Sequence, residues 1–247
     1  MSQQGAHGPG EGHTFRPHDE ALADLRSRAH QMGTLAAQQV ETAVRALLTA
    51  DGEAARHVLA REREINAQQT EIEARIFALL ARSAPVASDL RRVLAISRAV
   101  TDLERSGDEA KKIARFALSS ADRPDGGPSR VMHRPLRRMA EFASESMRVA
   151  VDALDRGDPD VAHEVARLDR EIDLEFEAAL RQLMTVAMER GRLLGPVFDT
   201  VFALKSLERI GDHAKNVAEH AVFLASGADV RHAGRADRDP AAADRRH

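Results

Sequence analysis

LERSGDEAKKIA at residues 103–114 and LERIGDHAKNVA at residues 207–218 are two versions of one stretch. Eight of the twelve positions are identical: Leu103/Leu207, Glu104/Glu208, Arg105/Arg209, Gly107/Gly211, Asp108/Asp212, Ala110/Ala214, Lys111/Lys215 and Ala114/Ala218. A constant offset of 104 residues marks a duplicated unit, and internal duplication determines architecture before any finer reading. Each copy also carries two acids four residues apart, one turn of a helix.

Outward from these copies, the chain divides into two similar halves. Residues 1–16 are rich in Gly, Gln, His and Pro, and 227–247 in Ala, Asp and Arg; both lack apolar periodicity and read as disordered tails. Pro124, Gly126, Gly127 and Pro128 break any helix, so 121–129 reads as the linker between a first unit, 17–120, and a second, 130–226. Three helices are expected in the first unit. One spans about 18–50, with Leu22, Leu25, Met32, Leu35 and Val40 on its apolar stripe. The next spans about 53–82, with Val58, Ile65, Ile72, Ile76 and Leu79. The third runs from an N-cap at Ser88 to about 119, with Leu90, Leu94, Leu103, Ala110 and Ala117 on its buried side. The second unit repeats the plan over about 130–155, 159–188 and 196–226. Its punctuation falls at Gly157-Asp158-Pro159 and between Gly191 and Pro196. Short links between long helices make antiparallel neighbours. The fold class is therefore all-α: two tandem three-helix bundles, six long helices in an elongated molecule.

Composition agrees with that reading and excludes several functions. No Trp or Tyr is present and only eight Phe, so the core is built from Leu, Ala, Val and Ile, which suits helices better than a sheet. The formal charge of −3 gives no indication of nucleic-acid binding. The chain contains no Cys, which removes thiolate ligands and nucleophiles. No apolar run approaches the ~18 residues of a membrane span, and the first residues do not read as a signal peptide; a cytoplasmic protein without membrane insertion is expected. Lysine occurs only at 111, 112, 205 and 215, and every other base is Arg, which reads as genomic base composition rather than function.

The acids invite a chemical reading. On a helix, Glu104 and Asp108 project roughly 100° and 140° round from Leu103, beside the apolar stripe, and Glu208 and Asp212 do the same from Leu207. The preceding helix carries matching groups: Glu62 and Asn66 in the first unit, Asp169 and Asp173 in the second. Facing residues of an antiparallel hairpin share a constant sum. Glu62/Asp108 and Asn66/Glu104 both sum to 170, centred on Pro85; Asp169/Asp212 and Asp173/Glu208 both sum to 381, centred between Arg190 and Gly191. Both centres fall in expected turns, so the motifs should face each other at one height. Clustered carboxylates need positive charge among them. Arg105 and Arg209 lie one residue round, on a different side, so a hard cation such as Mg, Mn or Fe is the expected solution, with Asn216 adding an amide oxygen. The first unit has the weaker set, because Asn66 replaces an acid and Lys112 stands where Asn216 would. Mid-helix Gly107 and Gly211 fit close helix packing or backbone room beside a metal. His213 reads as a surface residue, and the tail and helix-entrance histidines His7, His13, His18, His232 and His247 as incidental. No Glu-x-x-His, phosphate-binding loop or nucleophile elbow occurs, so no enzyme activity is expected.

The motif LER-x-GD-x-A, its duplication and the upstream acids resemble the PhoU family, most closely over APVASDLRRVLAISRAVTDLERSGDEAKKIA (84–114) and KSLERIGDHAKNVAEHAVFL (205–224). The resemblance extends over about 18–226. It implies a cytoplasmic regulator of phosphate uptake and a negative regulator of the phosphate-starvation response. Such a protein acts with the ATP-binding subunit of the phosphate ABC importer and with a membrane sensor histidine kinase. It further implies homodimers and multinuclear iron or zinc at the E(D)xxxD motifs, here Glu104/Asp108 and Glu208/Asp212. The companion motif falls fully on Asp169/Asp173 and partly on Glu62/Asn66, and Ser106 departs from the isoleucine found at Ile210. Two other readings of the bundle are an iron-storage or oxygen-handling protein and an accessory of a secondary phosphate permease.

Overall fold

A computed structural model of the chain describes residues 15–83, 87–121, 127–158, 160–189 and 193–226. Six long helices make up nearly all of it: α1 (Phe15–Thr49), α2 (Gly52–Ser83), α3 (Ala87–Ala121), α4 (His133–Arg156), α5 (Val161–Glu189) and α6 (Leu194–Ser226). A 3-10 turn, Arg130–Met132, leads into α4, and no strand occurs among the described residues. The fold is all-α with two tandem three-helix repeats. At 35 residues, α1 is ~50 Å long.

The helix ends have local causes. Asp51 caps α2: its carboxylate accepts the backbone N–H groups of Glu53 and Ala54 at 3.0 and 2.9 Å. Gly157 closes α4 in the left-handed conformation (φ 71°), its N–H bonding the Ala153 carbonyl at 2.7 Å. Pro196 stands in the first turn of α6, where a missing N–H costs nothing. Two boundaries differ from expectation. α1 begins at Phe15, so residues 15 and 16 are helical rather than tail. α3 begins at Ala87, which puts Ser88 inside the first turn rather than at the cap. The remaining tail residues, 1–14 and 227–247, lie outside the described residues, as do 84–86, 122–126, Pro159 and 190–192.

The apolar stripes of α1 and α2 are buried as the periodicity requires, from Leu22 to Val40 and from Val58 to Leu79. On α3, Leu103, Ala110 and Ala117 are fully buried, but Leu90 and Leu94 are 39% and 41% exposed. Their expected place on the buried side is corrected: the buried face over the first turns of α3 is Val93, Ala95 and Ile96.

The two trios are not separate bodies. α1, α3, α6 and α4 pack in a closed square, through α1 on α3, α3 on α6, α6 on α4 and α4 on α1, while α2 lies against α1 and α3, and α5 against α4 and α6. One hydrophobic cluster runs from Leu22 to Leu224 through both halves. The α1–α4 approach is close enough that a Cβ on Gly33 would overlap Val151. Along the opposite seam, α3 and α6 run antiparallel. Asp102 meets His213, Glu109 meets Ser206, and each pair of numbers sums to 315. Since α6 repeats α3 at an offset of 104, the same register carries each helix onto the other about a local twofold axis.

Candidate functional site

The α2–α3 hairpin sets the first acid motif in place. Ile65 packs where a side chain on Gly107 would stand, its Cδ1 2.9 Å from the Cβ such a residue would carry. That contact draws the helices together and brings Glu62 level with Asp108. In the second repeat Ile172 plays the same part against Gly211, at 2.8 Å, and Asp169 Oδ1 lies 3.8 Å from the same point. The two mid-helix glycines are therefore seats for an isoleucine from the neighbouring helix.

The positive charge among these acids comes from lysine. Lys111 reaches from α3 to Glu62 Oε1 at 2.7 Å and to Asp108 Oδ1 at 3.4 Å. Asn66 donates its amide to the same Glu62 oxygen at 2.8 Å. Lys215, the repeat mate of Lys111, reaches from α6 to Asp169 Oδ2 at 3.1 Å. Lys205 lies 2.6 Å from Glu208 Oε2 and 5.7 Å above the Phe176 ring. The fourth lysine, Lys112, pairs with Glu109 at 2.7 Å. Each of the four lysines thus pairs with an acid of these motifs or of the α3–α6 seam. The signal was in the sequence: two of four lysines occupy identical repeat positions.

Compensation is uneven. Glu62 is almost fully buried, which works to raise its carboxyl, yet the hydrogen bonds from Lys111 and Asn66 and the charge of Lys111 prevail and hold it below its ordinary value. Lys111 is pushed up in turn, first by its bond to Glu62. Glu104 is raised, by partial burial and then by the charges of Asp108 and Glu62. Asp212 is raised likewise, by desolvation and then by Glu208 and Asp169. Asp173 is exposed on α5. Among the described residues, no group of three or more His, Asp or Glu stands close enough to share a metal ion.

Asn216 does not join this set, and the expectation that it would is corrected. It lies across the seam and donates its amide to Asp102 Oδ1 at 3.1 Å. His213, expected at the surface, meets the same oxygen at 3.0 Å with its side chain mostly covered. The buried His220 meets Oδ2 at 3.3 Å. Asp102 is therefore a buried carboxylate on α3 held by three side chains of α6, which together keep its pKa well below the usual carboxylate range despite burial. The local axis carries the Asp102–His213 pair onto Ser206 and Glu109, and Glu109 is bonded to Lys112 at 2.7 Å and to Arg209 at 3.3 Å. Between these two clusters a cleft of about 360 Å³ opens, lined by Arg105, Asp108, Glu109 and Lys112 of α3 and Arg209, Asp212 and His213 of α6. Arg105 and Arg209 thus face the seam, one on either side of the local axis. Sequence reasoning missed Asp102 because its partners come from the other repeat and the pair is not duplicated: Ser206 stands at the position equivalent to Asp102, and Glu109 at that equivalent to His213.

Two tandem helical trios, with ion-paired acids in their hairpin grooves and a polar seam between the repeats, define a duplicated all-α protein in which no described helix is long and apolar enough to cross a membrane. Comparison with known proteins makes this specific. A family model described as PhoU domain matches residues 29–117 and 136–221. The chain belongs to the PhoU family. It is 40% identical over 222 residues to the phosphate-specific transport system accessory protein PhoU homolog of Pseudomonas aeruginosa, with 90% of each chain covered. It is 33% identical to the PhoU of Escherichia coli K12, with 86% of this chain and 87% of that one covered. The crystal structure of PhoU from Pseudomonas aeruginosa superposes with a TM-score of 0.79 at 40% identity, covering 85% of this chain and 99% of the other. That of the phosphate transport system regulatory protein PhoU from Streptococcus pneumoniae gives 0.77 at 25% identity, covering 85% and 98%.

Proposed function

We propose that this chain is a non-catalytic accessory protein of phosphate-specific transport. In that role it is a cytoplasmic adaptor between the ATP-binding subunit of a phosphate ABC importer and a membrane sensor histidine kinase, and it restrains uptake and the starvation response when phosphate is plentiful. The observation that carries the reading is the match of both repeats to one family, with relatives named for this transport system along nearly their whole length. The surface is consistent with docking. Phe77, Leu90 and Leu94 are exposed near the α2–α3 connection, and their repeat mates Met184, Leu194 and Phe198 are exposed near the α5–α6 connection. No described helix is long and apolar enough to cross a membrane, so contact with a membrane-embedded partner would run through such a surface. A homodimer is part of the same reading. The test is deletion of the gene: alkaline phosphatase should rise several-fold in phosphate-rich medium, and unchanged activity rejects the regulatory role.

We further infer that the acid motifs take a hard cation such as Fe, Zn, Mn or Mg. Glu62, Glu104 and Asp108 in the first repeat, and Asp169, Asp173, Glu208 and Asp212 in the second, supply oxygen donors suited to such ions. The raised carboxyls of Glu104 and Asp212, pushed up first by burial and then by neighbouring acids, support the reading, because a bound cation would relieve both. A bound ion would cross-link neighbouring helices of each repeat. Replacing Glu208 and Asp212 by Ala should remove the second-repeat metal and leave helicity intact; full metal content in that variant would reject the assignment.

A further inference from the structure

We propose that Lys111 and Lys215 are built-in counter-cations: each ammonium reaches across its hairpin to the buried acid of the neighbouring helix, and a cation binding that acid must first displace it. This rests on the cation-binding reading above and adds what limits it.

The argument begins with duplication. Lys111 and Lys215 are among the eight positions shared by the two copies of the motif. Both span between helices, Lys111 from α3 to Glu62 on α2 and Lys215 from α6 to Asp169 on α5. The two target acids are the most deeply buried of the acid set, at 5% and 8% exposure. One interaction therefore appears twice, at equivalent places, in repeats that differ at Asn66/Asp173, Glu109/His213 and Lys112/Asn216.

Residue type supports the same conclusion. The chain uses Arg almost everywhere, yet both of these positions hold Lys. A guanidinium is a planar fork that binds carboxylates side-on, whereas an ammonium is a compact point charge on a flexible stem and the closest side-chain mimic of a metal ion. It also leaves readily, because the four-carbon stem has other rotamers. The side-chain arrangement follows: Glu62 and Asp169 are turned onto ammoniums, and no three ligating groups converge among the described residues. Lys205 acts similarly on Glu208 from the same helix.

The test uses the purified full chain stripped with chelator, and Mn²⁺ as the probe, with free Mn²⁺ read by its paramagnetic resonance signal. The Lys111→Met, Lys215→Met double variant should bind Mn²⁺ at least tenfold more tightly than wild type. Its thermal midpoint should be lower than that of wild type in chelator and should recover when Mn²⁺ is added. Lys112→Met, which removes a lysine paired at the seam, should leave Mn²⁺ affinity unchanged. Equal affinity in wild type and double variant overturns the displacement idea while leaving the metal reading standing. No Mn²⁺, Fe²⁺ or Zn²⁺ binding in either protein overturns both. Should the double variant fail to fold, Lys111→Met and Lys215→Met tested singly leave the other repeat intact and carry the same comparison.

Discussion

Replacing Asp102 by Asn is a demanding test of how the two repeats are joined. The side chain keeps its shape but exchanges a carboxylate for an amide. In the native seam the two carboxylate oxygens serve three partners: His213 at 3.0 Å, Asn216 at 3.1 Å and His220 at 3.3 Å. An amide offers one acceptor oxygen, and its NH₂ is turned against groups that donate. A hydrogen bond to a charged group contributes ~1.5–3 kcal/mol, and removing one member of a buried charged cluster costs ~3–5 kcal/mol. Partial relaxation of Asn216 and His213, which stand nearer solvent than His220, brings the expected loss to about 3 kcal/mol. For a chain of this size each kcal/mol moves the thermal midpoint by ~2–4 °C, so a fall of ~6–12 °C is expected. Thermal unfolding at neutral pH, followed by circular dichroism at 222 nm, reads it directly. Asp152→Asn is the comparison. That acid pairs with His30 at 2.8 Å on the surface, where such pairs contribute ~0–1 kcal/mol. If Asp102→Asn melts within ~2 °C of wild type, or no lower than Asp152→Asn, the seam is not held by this cluster and the reasoning fails.

Other perturbations separate packing, charge and docking. Gly33→Ala places a methyl against the stiff Val151 across the α1–α4 contact and should destabilise by ~1–3 kcal/mol in chemical denaturation. Gly211→Ala meets only the flexible tip of Ile172, and its gain of ~1 kcal/mol in helix propensity offsets the crowding, so its denaturation midpoint should stay near wild type. Asp102 and Glu62 have carboxyls held below their ordinary values, so their stabilisation is present at neutral pH and lost as pH falls through the folded-state values. Glu104 and Asp212 are raised, so their ionised forms weigh against the fold and the penalty lifts as pH falls through their folded-state values. Accordingly, Glu104→Gln and Asp212→Asn should not lower the thermal midpoint of metal-stripped protein at pH 7. On the docking role proposed above, Leu194→Glu with Phe198→Glu should leave thermal stability unchanged, since both side chains are about half exposed, and should reduce co-purification with the ATP-binding subunit of a phosphate importer.

Much of the fold could be read directly. Helix bodies, the stop at Gly157 and the core stripes of α1 and α2 all follow from periodicity and from residues with strong local preferences. The pairing of Glu62 with Asp108 follows from a hairpin register centred on its turn. The errors have one kind of cause. Leu90 and Leu94 fall on an apolar spacing, but burial depends on whether a neighbour covers that side, and none does. The position of Asn216 and His213 on their own helix says nothing of α3 in the other repeat, which takes them up. Lys111 and Lys215 sit one turn beyond the acid pair in the motif, but their reach to α2 and α5 depends on stem conformation and on the depth of the groove.

The sequence by itself determined the duplication, the six helices, the faces that α1 and α2 bury and the acids that oppose each other within a hairpin. These are short-range matters, set by backbone preference and by the 3.6-residue period. Only the tertiary structure decided that the two trios share one core, that Asp102 is held by the opposite repeat, and that lysines rather than arginines occupy the acid grooves. Such contacts join residues about a hundred positions apart or more, or turn on how deeply one helix nests against another. No local pattern encodes that distance, because it emerges from the fit of all six helices at once.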